Sequence, residues 1–96
     1  MIELRQTLTY ARWFDGLRDL RAKERIDARI YRLREGNPGD VRSMGEGVTE
    51  MRIDYGPGYR VYYLRRGETL VVLLAGGDKS TQQRDISEAI ELARGL

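Results

Sequence analysis

Residues 48–82 read VTEMRIDYGPGYRVYYLRRGETLVVLLAGGDKSTQ, and this stretch decides the fold because it predicts three successive strands followed by a polar loop. Residues 49–55 alternate apolar and polar side chains with a period of two, which is typical of a strand with one buried face. The run TLVVLLA at 69–75 is apolar throughout and predicts a central strand covered on both faces. Residues 76–82 are expected to form a loop, in which glycines free the backbone and polar side chains could build a site.

The tripeptide Gly56-Pro57-Gly58 interrupts the alternation and predicts a hairpin loop. A loop of these three residues sets Tyr55 opposite Tyr59 and gives one apolar and one charged face. A two-residue loop of Pro57 and Gly58 would set Tyr55 opposite Arg60 and Ile53 opposite Tyr62, which separates the faces less cleanly. We therefore expect the three-residue loop, with these further pairs: Ile53 with Val61, Met51 with Tyr63, Asp54 with Arg60 and Arg52 with Tyr62.

The composition indicates a globular protein with a heavily charged surface, because 41% of the residues are hydrophobic and 33% are charged. A chain of 96 residues predicts a single domain over residues 1–96. With no cysteine and no histidine, we expect no disulfide, no metal site and no cofactor. The longest apolar run, 70–75, is too short to cross a membrane, and residues 1–5 do not resemble a signal peptide, so a cytoplasmic location is expected.

Two helices are predicted before the strands. Thr7 is a candidate N-cap for a helix over 8–18, where aromatic side chains at helical spacing form a buried face. Asp19 is a candidate cap for a second helix that ends at Gly36. Its inward stripe is Ala22, Ile26, Ile30 and Leu33. Residues 2–5 form a short extended stretch that could join the sheet as an edge.

A basic ridge lies beside that stripe on the second helix, because Arg21, Arg25, Arg29 and Arg32 fall at spacings of about one helical turn. The ridge could grip nucleic-acid phosphates, since guanidinium groups suit phosphate recognition. It could equally be a solvated face that neighbouring acidic residues partly neutralise.

The remaining segments complete the pattern. Residues 37–40 predict a turn, 41–44 a short strand, and 45–47 a second turn. Ser80 or Thr81 could cap a last helix that ends at Gly95, with Gln83 completing a capping box on Ser80. The fold class is therefore α+β, with two N-terminal helices packed on a mainly antiparallel twisted sheet of four to five strands and a C-terminal helix.

Three separated motifs carry a family resemblance. They are REGNPGD with MGEGV (34–40 and 44–48), EMRIDYGPGYRVYY (50–63), and LLAGGDKSTQ with DISEAIELA (73–82 and 85–93). In this order they resemble the RelE/ParE superfamily of bacterial toxins from type II toxin-antitoxin modules, within the HigB-like addiction module killer branch. The resemblance covers nearly the whole chain.

The resemblance implies a RelE/ParE-like fold with a site on the sheet. RelE-like relatives cut messenger RNA on the ribosome without a metal ion, whereas ParE-like relatives inhibit DNA gyrase, so the fold leaves the activity open. It also implies a cognate antitoxin, often a helix-turn-helix DNA-binding protein. A third alternative is an RNA-binding domain without toxicity.

Cleavage by the ribose 2′-hydroxyl needs positive donors for the phosphate and groups that move protons. Arg52, Arg60 and Lys79 match basic positions of the family's site, and we expect the arginines to hold the phosphate while Lys79 assists proton transfer or neutralises charge. Arg60 could instead pair with Asp54, and Lys79 with Asp78. RNA-cleaving relatives carry a tyrosine or histidine near the C-terminus, but residues 91–96 read ELARGL. The further nucleic-acid contacts are expected at Tyr62, Gln82, Arg65 and the helix ridge.

Overall fold

The computed structural model describes residues 2–96, and within them three helices and one five-stranded sheet make up the fold. The helices are α1 (Leu8–Asp15), α2 (Leu20–Arg34) and α3 (Gln82–Arg94), and a 3-10 turn, Lys79–Thr81, precedes α3. The strands are β1 (Glu3–Gln6), β2 (Val41–Gly45), β3 (Val48–Ile53), β4 (Tyr59–Arg66) and β5 (Leu70–Asp78). This confirms the predicted α+β class.

The sheet has the order β1-β5-β4-β3-β2. Strands β2 to β5 run antiparallel to their neighbours, and β1 pairs parallel to β5 as an edge. The strand predicted to be central, β5, is covered on both faces as expected, but β4 occupies the middle of the sheet. An apolar run shows burial on both faces and does not show how many strands lie on each side.

Two cores form, one on each face of the sheet. Helices α1 and α2 cover one face, where Tyr10, Ile26 and Leu33 pack on Met51 and Val61. Helix α3 covers part of the other face. There Ala89 and Ala93 belong to a second cluster with Val48, Tyr62, Leu64, Leu74 and Ala75. The sheet therefore separates two hydrophobic layers.

The helix caps follow the sequence signals in two of three cases. The Tyr10 amide donates to the Thr7 hydroxyl at 3.1 Å, and Asp19 accepts from two amides at the start of α2. Helix α1 ends at Asp15 and not at residue 18, because the chain turns through Gly16 toward the Asp19 cap. Thr81, one of the two predicted caps of the last helix, occupies the N-cap position of α3 but makes no side-chain capping bond. The capping box expected on Ser80 is wrong, since Asp78 caps the 3-10 turn and Thr81 completes the box.

The hairpin register differs from both predicted ones. Arg52 pairs with Arg60 and Ile53 with Tyr59, so the connection spans residues 54–58. Gly56 and Gly58 take positive φ angles of 57° and 81° there. The register is displaced by two residues from the preferred one, and a shift of two keeps every side chain on its predicted face.

Gly76 and Gly77 lie inside β5 and are not loop residues. Neither has a positive φ, so their role is space. A Cβ on Gly76 would overlap the Trp13 ring of α1, and a Cβ on Gly77 would overlap the Asp85 carboxylate of α3. The two glycines let a helix approach the strand closely on each face.

Candidate active site

Arg52 and Arg60 lie opposite each other on β3 and β4, as cross-strand partners on the sheet face that α3 leaves partly open. Their side chains are 29% and 11% exposed, so both are largely desolvated without being sealed from solvent. Like charges directly opposite on a sheet repel, so this arrangement requires a compensating group.

Glu50 supplies that compensation. Its carboxylate is completely buried, with Oε1 3.0 Å from Arg52 Nε and 4.0 Å from Arg60 Nε. The Tyr62 hydroxyl donates to Oε2 at 3.1 Å, and the Gln82 amide donates to Oε2 at 2.8 Å. Burial by itself raises the pKa of Glu50, but these hydrogen bonds outweigh burial and lower the pKa overall. Glu50 is therefore ionised at neutral pH.

Lys79 begins the 3-10 turn at the end of β5 and is exposed. A Cβ built on Gly58 would lie 3.2 Å from Arg60 Nη1 and 3.6 Å from Lys79 Cβ, so Arg60 and Lys79 flank the same glycine. The turn is fixed by Asp78, whose carboxylate accepts from the Ser80 amide at 2.8 Å and also from the Ser80 hydroxyl. The hydroxyl bond chiefly lowers the pKa of Asp78. The paired residues Arg52 and Arg60 and the base of the Lys79 side chain therefore lie near the Gly58 end of the hairpin.

The alternative ion pairs of these cations do not form. Within residues 2–96 the carboxylate that lies within 4.0 Å of Arg60 is Glu50, not Asp54, and no carboxylate lies within that distance of Lys79. Arg60 Nη1 donates instead to the Gly58 carbonyl at 2.8 Å, and its Nε–H is buried without a hydrogen-bond acceptor.

A surface concavity of about 400 Å³ adjoins the site and is lined by residues 79–84. It includes Lys79 and Gln82, whereas Arg52 and Arg60 lie on the sheet beside it. The cations therefore border a shared surface and do not all line one hollow.

Tyr62 is not a surface contact. Its side chain is fully buried beneath α3, and its hydroxyl is committed to Glu50. Burial and the adjacent carboxylate raise its pKa above the usual range of a phenol. Gln82 remains half-buried at the start of α3, where its amide reaches Glu50.

The helix ridge lies on the other side of the molecule, because α2 packs on the opposite face of the sheet from Glu50. Arg21, Arg25 and Arg32 are exposed, and the Arg25 guanidinium stacks 4.7 Å from the centre of the Tyr55 ring. Arg29 is the exception, since its guanidinium donates to backbone carbonyls of Arg52, Pro38 and Asp40. Arg29 therefore ties α2 to the sheet and is not a free phosphate contact.

Arg65 is also separate from the site. It lies at the far end of β4 from Arg60, is exposed, and its Nε donates to the Gly67 carbonyl at 3.2 Å. The structure therefore brings together Arg52, Arg60, Lys79 and Gln82, and leaves the ridge and Arg65 apart from them.

Glu50 is the site residue that the sequence did not single out. Because residues 50 and 52 are two apart on β3, the sequence does assign Glu50 to the same face of the sheet as Arg52. That assignment does not indicate burial, because burial depends on α3 crossing this face.

No helix within residues 2–96 is long and apolar enough to cross a membrane. In the same residues, no group of three or more Asp and Glu side chains is arranged to hold a metal ion.

The element order and the cationic sheet face define a small α+β protein consistent with a RelE-like fold. The chain belongs to the family described as phage-derived protein Gp49-like (DUF891), whose model matches residues 12–95. This is a toxin-like family of addiction modules.

Two further proteins are similar to this chain. An uncharacterized protein of Haemophilus influenzae is 52% identical over 95 residues, which span 99% of this chain and 96% of that protein. The solution structure of the conserved hypothetical protein HP0894 from Helicobacter pylori is similar with a TM-score of 0.53 and 21% identity. That similarity covers 83% of this chain and 97% of the other, and it bears on the fold alone.

Proposed function

We propose that this protein is the toxin of a type II toxin-antitoxin module, of the HigB-like branch of the RelE/ParE superfamily, and that it cleaves messenger RNA on the ribosome. The observation that carries the proposal is the pair of arginines facing each other across β3 and β4, with Lys79 beside Arg60. The toxin-like character of the Gp49-like family supports the same conclusion.

In this proposal the scissile phosphate binds Arg52 and Arg60. As the ribose 2′-hydroxyl attacks phosphorus, negative charge grows on the phosphate oxygens, and guanidinium groups held in a desolvated site stabilise it strongly. Lys79 neutralises charge and assists proton transfer. The 2′-oxygen bonds to phosphorus as the bond from phosphorus to the 5′-oxygen breaks. The proton that the 2′-hydroxyl loses is balanced by one that the leaving 5′-oxygen gains, which gives a 2′,3′-cyclic phosphate and a free 5′-hydroxyl.

Docking on the ribosome falls to other cations in this proposal. Arg21, Arg25 and Arg32 present an exposed basic surface on α2, and Arg65 presents another at the β4–β5 turn. Contacts of this kind position a protein on RNA phosphates without reading sequence. Gln82 borders the concavity beside Lys79 and would contact the message. The partners are thus the ribosome with its message in the cytoplasm, and a cognate antitoxin, commonly a helix-turn-helix DNA-binding protein.

One observation favours gyrase inhibition as the second candidate. Helix α3 carries neither tyrosine nor histidine, and the hydroxyl of Tyr62 is buried against Glu50, so neither α3 nor Tyr62 supplies the proton donor typical of RNA-cleaving relatives. A noncatalytic protein would use the same basic face to bind gyrase or DNA.

Induced expression in a bacterial host separates the candidates. We expect rapid loss of translation, and RNA-end sequencing should find new 5′-hydroxyl ends inside translated messages. Arg60→Ala and Lys79→Ala should each lower the cleavage rate about 100-fold, the usual order for removing one transition-state donor.

Arg12→Ala is the matched control, because Arg12 is exposed on α1 at the opposite face and should leave killing unchanged. Stalled replication with DNA breaks and intact messages would favour the gyrase reading. Normal growth would point to an RNA-binding domain without toxicity, and unchanged killing by both site variants would remove the site assignment.

A further inference from the structure

Glu50 cannot touch a substrate, because its side chain has no exposed surface and α3 covers it. The carboxylate is nevertheless ionised and takes hydrogen bonds from Arg52, Tyr62 and Gln82. Burying a charge is unfavourable, and buried ion pairs are often no more stabilising than an apolar pair of the same size. A structural role alone therefore gives a weak account of a charge at this position.

Both arginines turn the Nε side of their guanidinium groups toward Glu50. Arg52 donates its Nε–H to Glu50. Within residues 2–96 its side chain makes no other hydrogen bond, so its two terminal amino groups can donate to another acceptor. Arg60 also turns its Nε toward Glu50 Oε1, at 4.0 Å, while Nη1 is held by the Gly58 carbonyl. Oε1 thus accepts a hydrogen bond from Arg52 and lies in a longer charge contact with Arg60, whose Nε–H has no hydrogen-bond acceptor.

The other oxygen is anchored from two elements. Tyr62 reaches it from β4, and Gln82 reaches it from the first turn of α3. These two donors hold Oε2, and this orientation places Oε1 3.0 Å from Arg52 Nε and 4.0 Å from Arg60 Nε. Glu50 also offsets the repulsion of two like charges on paired strand positions.

We propose that Glu50 is a positioning residue, which fixes the Arg52 guanidinium by a hydrogen bond and keeps the Arg60 guanidinium beside it by charge, so that both can bind one phosphate. This inference rests on the proposed function for its catalytic consequence, but the orientation of the arginines can be tested without activity. Rigid placement of binding groups is worth much in rate, since a misplacement of about 1 Å can cost about 100-fold.

The test uses the full-length protein and two substitutions that separate charge from reach. Glu50→Gln keeps the length and removes the charge, and Glu50→Asp keeps the charge and shortens the side chain. Glu88→Gln, on the exposed side of α3, is the control. Side-chain ¹⁵N–¹H spectra report the Arg52 Nε–Hε group, and a titration with inorganic phosphate reports anion binding.

In the wild-type protein we expect a sharp, slowly exchanging Arg52 Nε–Hε signal, displaced downfield by the carboxylate. Both Glu50 variants should lose it, and Glu88→Gln should keep it. Glu50→Gln should bind phosphate at least as tightly as wild type, because a negative charge has gone. In ribosome-dependent cleavage the same variant should show a kcat lowered about 10- to 100-fold with little change in KM.

Several results would overturn the inference. A wild-type Arg52 Nε–Hε signal typical of a free guanidinium would do so without any variant, which covers the case in which the variants do not fold. Wild-type kcat in folded Glu50→Gln, or in Glu50→Asp, would do so as well. If the wild-type protein cleaves no message, the proposed nuclease activity fails, and the spectra alone then decide whether Glu50 orients the arginines.

Discussion

Gly76 and Gly77 are adjacent in β5, and because neither has a side chain, Trp13 packs on one face of the strand and Asp85 on the other. Gly76→Ala would force the Trp13 ring and α1 away from the sheet, and Gly77→Ala would displace Asp85 and the 3-10 turn that carries Lys79. Overpacking of this kind costs about 1–3 kcal/mol. We expect both variants to unfold at lower urea concentration than wild type, and only Gly77→Ala to lose activity beyond its loss of folded protein.

Gly95→Ala is the control for both, because Gly95 has a φ of −85° and a Cβ there would meet one backbone atom at 3.6 Å. Its stability should match wild type within experimental error. Wild-type stability in Gly76→Ala would mean that α1 does not approach β5 as closely as the structure indicates.

At the level of single residues, the sequence predicted correctly which face of the sheet a side chain lies on, but it did not predict which side chains are buried. Alternation along β3 and β4 assigns Arg52, Arg60 and Tyr62 to one face, and the structure confirms that assignment. Whether a residue on that face is exposed depends on where α3 lies, and this is a long-range property. The sequence therefore predicts Tyr62 at the surface, where the structure instead buries it, and it does not indicate that Glu50 is buried beside Tyr62.

Helix α1 has eight residues, and a helix of this length is unstable alone, so it depends on its attachments. Thr7 provides the main polar contact between α1 and the sheet. Its hydroxyl donates to the Leu74 carbonyl at 2.6 Å and accepts from the Tyr10 amide, which joins α1 to β5. Thr7→Ala removes both bonds and should lower the free energy of unfolding by about 2 kcal/mol in urea denaturation.

Thr7→Ser keeps the hydroxyl, and its free energy of unfolding should fall by less than about half of that amount. The comparison distinguishes the contribution of the hydrogen bonds from that of the methyl group. Equal losses in Thr7→Ala and Thr7→Ser would assign the effect to packing. Since Thr7 lies away from Arg52 and Arg60, the activity per folded molecule should stay at the wild-type level in both.

At the level of elements, the type and order of the strands could be predicted, but not the hairpin register. The hydrophobic pattern repeats every two residues, so it cannot distinguish registers that differ by two. Loop length decides between them, and the five-residue connection 54–58 is held by contacts outside the pattern. Tyr55 shows why, because its hydroxyl donates to Asp19 at the start of α2 at 3.0 Å.

At the level of the whole molecule, the sheet divides the positive charge into two surfaces. Glu50 and its arginines lie on the α3 side, and the α2 ridge lies on the other. The sequence predicted both groups but not their separation, since helical and strand periods each define faces only within their own element. One ligand therefore reaches both groups only by extending around an edge of the sheet.

The charge distribution also predicts how stability depends on pH. Folding lowers the pKa of Glu50 and Asp78, so their stabilisation is present above the ordinary carboxyl pKa of about 4 and is lost as pH falls through the lower folded pKa. Folding raises the pKa of Tyr10 and Tyr62, mainly by burial, so their stabilisation is present below about pH 10 and is lost as pH rises further.

Between these windows the chain has no histidine to titrate. The pKa of Asp27 shifts in the opposite direction to those of Glu50 and Asp78, because burial raises it, so its ionisation slightly opposes folding as pH rises past about 4. We therefore expect urea midpoints that are nearly constant from about pH 6 to 9, and that fall below about pH 4 and above about pH 10. Glu50→Gln should be less stable on the plateau and should lose less stability on acidification, because one depressed carboxyl has been removed. A midpoint that changes steeply near pH 6.5 would contradict this charge distribution, and an acid limb as steep in Glu50→Gln as in wild type would contradict the lowered pKa of the buried Glu50 carboxyl.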